Sequence, residues 1–123
     1  MSHVHRHSVT VTTDGDGNAT AYTDTITGRV LTARYVKTDY TNGVDFVITS
    51  EETGEIIWDE DNVDASATRA PRQPTHSTLG VAALYAGSGQ AVNDYIGLAR
   101  DRIKIVIASG GATKSGTFHF LIG

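Results

Sequence analysis

Two alternating runs near the end of the chain constrain its fold more than any other feature. Ile103, Ile105 and Ile107 share one face of an extended segment, with Arg102, Lys104, Val106 and Ala108 on the other. That is the period-two signature of a strand with one buried side. After a glycine-rich connection over residues 109–116, Phe118, Phe120 and Ile122 repeat the pattern against Thr117, His119 and Leu121. The two runs are expected to pair as a hairpin. A terminal strand stays ordered only when it is tied into a sheet, so this hairpin is expected to lie at the centre of the core.

The rest of the composition points the same way. Thirteen glycines, abundant threonine and few Leu/Lys/Glu blocks suit pleated surfaces and tight turns, which makes the expected class all-β. At 123 residues the chain fits a single domain over 1–123. No apolar run approaches the roughly 20 residues of a membrane helix, and residues 1–7 lack the apolar core of a secretory signal, so no membrane partner is expected. Without cysteine there is no disulfide framework or thiolate chemistry, which fits folding in a reducing cytoplasm. A net charge of −4 argues against a nucleic-acid partner held by phosphate contacts.

Along the chain, His3, His5, His7, Val9 and Val11 share one face of a first strand, whose beginning, residues 1–8, can equally extend as an N-terminal arm. Asp14-Gly15-Asp16-Gly17-Asn18 is a turn, and residues 19–26 return to complete a first hairpin. Gly28 interrupts the pattern before a strand over residues 29–37 that is apolar on both faces and therefore central. Asn42-Gly43 marks a tight reversal into Val44, Phe46 and Ile48, and residues 51–54 turn the chain into a short strand carrying Trp58, the only tryptophan. Periodicity then lapses over residues 61–90, a long irregular crossing segment containing Pro71 and Pro74, with a short helical turn expected at residues 79–85. A loop of that length in a small domain is commonly functional or an oligomer contact. The expected architecture is an antiparallel β-sandwich or jelly roll of about seven or eight strands.

Candidate chemistry is sparse. His3, His5 and His7 offer imidazoles along one strand edge, but side chains two apart stand about 6.5–7 Å from each other, and no Cys, Asp or Glu accompanies them at a diagnostic spacing. Residues 14–18 resemble the start of a calcium loop, yet Ala19 stands where glycine is needed and Thr25 where a bidentate glutamate is needed, so a turn is the better reading. Asp59-Glu60-Asp61 with Asp64 forms an acidic run that reads as solvated loop. His76-Ser77 lies outside any nucleophile elbow, and Gly87-Ser88-Gly89 and Gly110-Gly111 lack the strand-loop-helix setting of a phosphate site. No enzyme activity, cofactor or metal is expected. Trp58 reads as core; with Tyr40 and Tyr85 it is also the aromatic set that a carbohydrate- or receptor-binding module would use.

Through these strands run Thr27-Gly28-Arg29-Val30-Leu31, Tyr35-Val36-Lys37, Gly43-Val44-Asp45-Phe46, Thr53-Gly54-Glu55, the segment Asp101-Arg102-Ile103-Lys104-Ile105-Val106-Ile107, then Gly110-Gly111 and Lys114-Ser115-Gly116-Thr117-Phe118. In this pattern the chain resembles small all-β structural proteins of tailed-bacteriophage virions. The resemblance implies a non-enzymatic role as a capsid decoration or cement protein, or a small head or tail component. It implies a protein made in the host cytoplasm and located in the virion. The partners it implies are the phage major capsid protein or other virion proteins, together with copies of the chain itself, a trimer being the expected state. The contact surfaces expected on physical grounds are His3, His5 and His7 and the segment carrying Arg69, Pro71, Arg72 and Tyr85, which lack an evident place in a single-chain core.

Overall fold

Strand-forming residues dominate the computed structural model, which describes residues 3–123. The strands are β1 His5–Thr12, β2 Ala19–Tyr22, β3 Ile26–Lys37, β4 Val44–Ser50, β5 Ile56–Val63, β6 Ala67–Arg69, β7 Gln73–Pro74, β8 Asn93–Asp94, β9 Ile96–Asp101, β10 Ile103–Ala108 and β11 Ser115–Ile122. No helix occurs among the described residues, so the all-β class holds. Eight strands have four or more residues, and three short ones, β6, β7 and β8, were not expected. All pairings are antiparallel. One sheet runs β1-β11-β3, with β6 and β9 sharing the far edge of β3; the other runs β2-β10-β4-β5. The sheets curl into a half-barrel.

The two terminal runs do not pair with each other. β10 lies between β2 and β4, and β11 lies between β1 and β3, in different sheets. Both apolar faces are nonetheless buried: Ile103, Ile105, Ile107, Phe118, Phe120 and Ile122 all belong to one core cluster. The alternation fixes which face is buried, and it is equally satisfied by a partner lying beside the strand or facing it across the core. The first expected hairpin fails in the same way, because β1 and β2 also belong to different sheets.

Each of these connections is an arch over the edge of the core, and the two arches are bonded together. Thr13 N donates to the Lys114 carbonyl at 2.8 Å, Thr113 N to the Asp14 carbonyl at 3.0 Å, and Gly110 N to the Gly17 carbonyl at 3.0 Å. An arch leaves backbone groups without ladder partners, and here the neighbouring arch supplies them. The Asn42-Gly43 reversal also joins two sheets, whereas β4 and β5 form a true hairpin closed by Ser50 N to the Glu55 carbonyl at 3.0 Å.

Phe46 is the centre of the aromatic packing, with ring centroids 4.8 Å from Trp58, 5.1 Å from Phe118 and 5.2 Å from Tyr35. Tyr40 stacks on Tyr35 at 6.0 Å and donates its hydroxyl to the Val11 carbonyl. Tyr35 is fully buried, its hydroxyl has no hydrogen-bond partner among the described residues, and burial pushes its pKa up to about 12. The two tyrosines are therefore expected to respond oppositely to loss of the hydroxyl. Tyr40→Phe should cost about 1–2 kcal/mol, and Tyr35→Phe should leave stability unchanged or raise it by about 1 kcal/mol. Urea midpoints at constant slope measure both; a clear loss on Tyr35→Phe would contradict the orphaned hydroxyl.

The chain departs from expectation most over residues 61–90. β5 continues to Val63, and β6 joins β3 through Ala33↔Arg69, Arg34↔Thr68 and Tyr35↔Ala67, so this stretch is not irregular throughout. Beyond β6 the chain leaves the body as a finger. β7 and β8 pair at its base, the bridges His76↔Ala82 and Leu84↔Ala91 continue it, and Thr75, Ala83 and Val92 interlock through backbone bonds of 2.8–3.0 Å. The expected helical turn over residues 79–85 is absent, because Gly80 at φ 79° ends a reversal that Ser77 closes by accepting from the backbone N–H groups of Leu79 and Val81. At the other end, His5, Arg6, His7 and Ser8 pair in register with Ile122, Leu121, Phe120 and His119. They are sheet, not a free arm; Met1 and Ser2, the start of that expected arm, lie outside the described residues.

Candidate functional site

The finger presents an apolar tip. Leu79 is 88%, Val81 65%, Leu84 42% and Tyr85 76% exposed, which places half of the eight large exposed hydrophobics among the described residues within seven positions. Its base is firmly held. The Tyr95 ring packs against two guanidiniums, Arg29 at 4.9 Å and Arg72 at 4.2 Å from its centroid, and Arg72 also donates to the carbonyls of Leu31 at 3.1 Å and Pro71 at 2.7 Å. A rigid root and an apolar tip without intramolecular cover suit a surface that a partner buries.

Of the residues expected to make contacts, Tyr85 alone sits on this tip. Arg72 serves the root, and Pro71 is buried. Arg69 is committed to β5: it makes a two-pronged bond to Glu60 at 2.8 and 2.9 Å and lies 5.5 Å over the Trp58 ring. His3 and His5 are exposed at the start of the β1 edge with rings 6.2 Å apart, and His7 Nδ1 meets Asp24 Oδ1 at 2.8 Å. Among the described residues no group of three His, Cys, Asp or Glu side chains is placed to hold a metal ion. Trp58 and Tyr40 are 5% and 2% exposed, so the aromatic set of a carbohydrate-binding module reduces to Tyr85.

Leu79, Val81 and Leu84 lie within the segment expected to make contacts, but no periodic pattern in the sequence singles them out. They occur in an aperiodic Gly/Ala/Ser/Thr stretch, and apolar residues inside a polar, unpatterned segment were the available signal.

The acidic groups have structural duties. Asp14 accepts backbone N–H bonds from Asp16 at 2.8 Å and Asn18 at 3.0 Å, which hold its carboxyl below the usual range and close the turn. Asp64 accepts from Gly43 N at 2.7 Å. Glu60 is held below its ordinary value of 4.5 by the Arg69 bond first and by Trp58 Nε1 second. A carboxylate depressed in the fold contributes stability above its unfolded pKa and loses it as pH falls through the folded one. The stability difference between wild type and Glu60→Gln is therefore expected to be constant above about pH 5 and to shrink at lower pH. Urea midpoints across that range test it, and a pH-independent difference would contradict the assignment.

The outer face of the β1-β11-β3 sheet holds a second feature, a concavity of about 480 Å³. Arg6, Arg34 and His119 line it together with Thr32, Val36 and Leu121, and no carboxylate lines it. Ser8, His119, Arg34 and Thr68 stand in one cross-strand row. Within it Ser8 Oγ and His119 Nδ1 are 2.8 Å apart, and Arg34 Nη1 donates to Thr68 Oγ1 at 2.7 Å.

No protein-family model matches the chain, and no curated protein matches it.

Proposed function

We propose that this chain is a non-enzymatic structural protein of a bacteriophage virion, a capsid decoration or cement protein built as a jelly-roll-like β-sandwich. The resemblance of its strand and turn pattern to small virion proteins supports the role. A chain that passes repeatedly between two antiparallel sheets sharing one core supports the sandwich. The observation that carries the proposal is the finger. Leu79, Val81, Leu84 and Tyr85 are displayed in water on a root braced by Arg29, Arg72 and Tyr95. Burying what remains exposed of the three aliphatic side chains would contribute roughly 3–6 kcal/mol. That offsets the lower part of the ~4–15 kcal/mol association cost, and a lattice repeats the gain at every copy. The partner is the major capsid protein or another virion protein, and copies of the chain assemble with each other. Purified protein mixed with phage heads that lack it is expected to co-sediment with them; failure to bind either heads or tails would overturn the proposal.

A further inference from the structure

The arginines of this protein divide into those whose charge is paired with a carboxylate or stacked on a ring and those whose charge is not. Arg69 and Arg102 are paired with Glu60 and Glu51, and Arg29 and Arg72 pack on Tyr95. Arg6, Arg34 and Arg100 take part in none of the ion pairs among the described residues, and of these Arg6 and Arg34 line the concavity on the outer sheet face, with His119 between their strands. Two uncompensated guanidiniums over a hollow floored by Val36 and Leu121 select an anionic group carried on a chain that also has apolar contact to offer.

The chain contains a segment of that description. β5 is an edge strand of the four-stranded sheet, and its Asp59 and Asp61 are exposed, their carboxylates making no hydrogen bond among the described residues, while Glu60 between them is taken by Arg69. Ile56 on the same strand is 60% exposed. In the other two acidic turns, at residues 14–16 and 51–55, the Asp14 carboxylate is committed to its own turn and the Glu51 carboxylate to Arg102.

We infer that the concavity bearing Arg6 and Arg34 is a docking site for the acidic β5 edge, Asp59 and Asp61, of a second copy of this chain. The face of one copy meets the edge of another, so the contact is heterologous, and repetition closes a ring or propagates along a lattice. This deepens the self-assembly part of the proposed function and rests on it, while being independent of attachment through the finger.

Sedimentation velocity on the purified protein, in the absence of heads, tests it. Wild type at low salt is expected to form species larger than a monomer that dissociate in 1 M NaCl, where the Debye length is about 3 Å. The face variant Arg6→Ala with Arg34→Ala, and the edge variant Asp59→Asn with Asp61→Asn, should each weaken self-association roughly tenfold or more. An equimolar mixture of the two variants should give a one-to-one dimer that grows no further, because it contains one intact face and one intact edge. That dimer also shows that both variants are folded. A wild type that stays monomeric at low salt, a variant that assembles as wild type does, or a mixture that stays monomeric would each overturn the inference. Head co-sedimentation of the same variants reports separately on the finger.

Discussion

Phe46→Ala is expected to remove about 3–5 kcal/mol of stability, a large part of the 5–15 kcal/mol that a typical domain possesses. The ring touches aromatic partners from three other strands, Tyr35 on β3, Trp58 on β5 and Phe118 on β11, and is 1% exposed. Truncation therefore opens a cavity between the two sheets where rigid rings on every side cannot collapse inward. Chemical denaturation should show a large drop in midpoint and the loss of the buried Trp58 emission at lower denaturant. A loss below about 1 kcal/mol would mean that the sheets do not meet at this ring.

Gly116→Ala is the second large effect, and it acts by adding atoms. A Cβ at this position would run into the Tyr40 ring and come within 2.9 Å of the Tyr35 ring. Both rings are buried, and Tyr40 is fixed by its hydroxyl bond to Val11, so neither can swing away. Overpacking of this kind costs about 1–3 kcal/mol, and two immobile rings place it at the upper end. Gly87→Ala is the control: a Cβ there meets nothing within 4 Å, and stability should stay unchanged or rise slightly. Thermal unfolding of the pair, with equal effects at both sites, would contradict the packing described for Gly116.

These two positions also show what the sequence could convey. The burial of Phe46 follows from its alternation with Asp45 and Val47, as does that of Ile103, Ile105, Ile107, Phe118, Phe120 and Ile122. A period of two states which side of a strand is buried, and that information survived intact. It does not state which strand is the neighbour. Glycine-rich stretches at residues 14–18 and 109–116 serve an arch between sheets as well as a hairpin within one, and the choice depends on long-range bonds such as Thr13 N to the Lys114 carbonyl. Gly116 reads as loop in the sequence because the reason for a glycine in β11 is the Tyr40 ring, which arrives from 76 residues earlier in the chain.

The candidate site was less legible than the fold. Tyr85 stands out as an aromatic in a segment without pattern, while Leu79, Val81 and Leu84 fall in the stretch where a helical turn is expected. The finger is built from two-residue strands and isolated bridges, too short to leave a periodic trace. The concavity was invisible for a different reason. Arg6, Arg34 and His119 come from three strands, and only the register His119↔Arg34 and Leu121↔Arg6 brings them to one face.

The measurement that bears most directly on the proposed role compares wild type with a finger variant, Leu79→Glu combined with Tyr85→Glu, for binding to phage heads and for the temperature at which those heads lose integrity. Both positions are exposed, so the variant should fold with an unchanged unfolding midpoint. Wild type is expected to saturate the heads and raise their disruption temperature, and the variant to do neither. Heads that bind both proteins equally, or that gain no resistance from saturating wild type, would contradict the account.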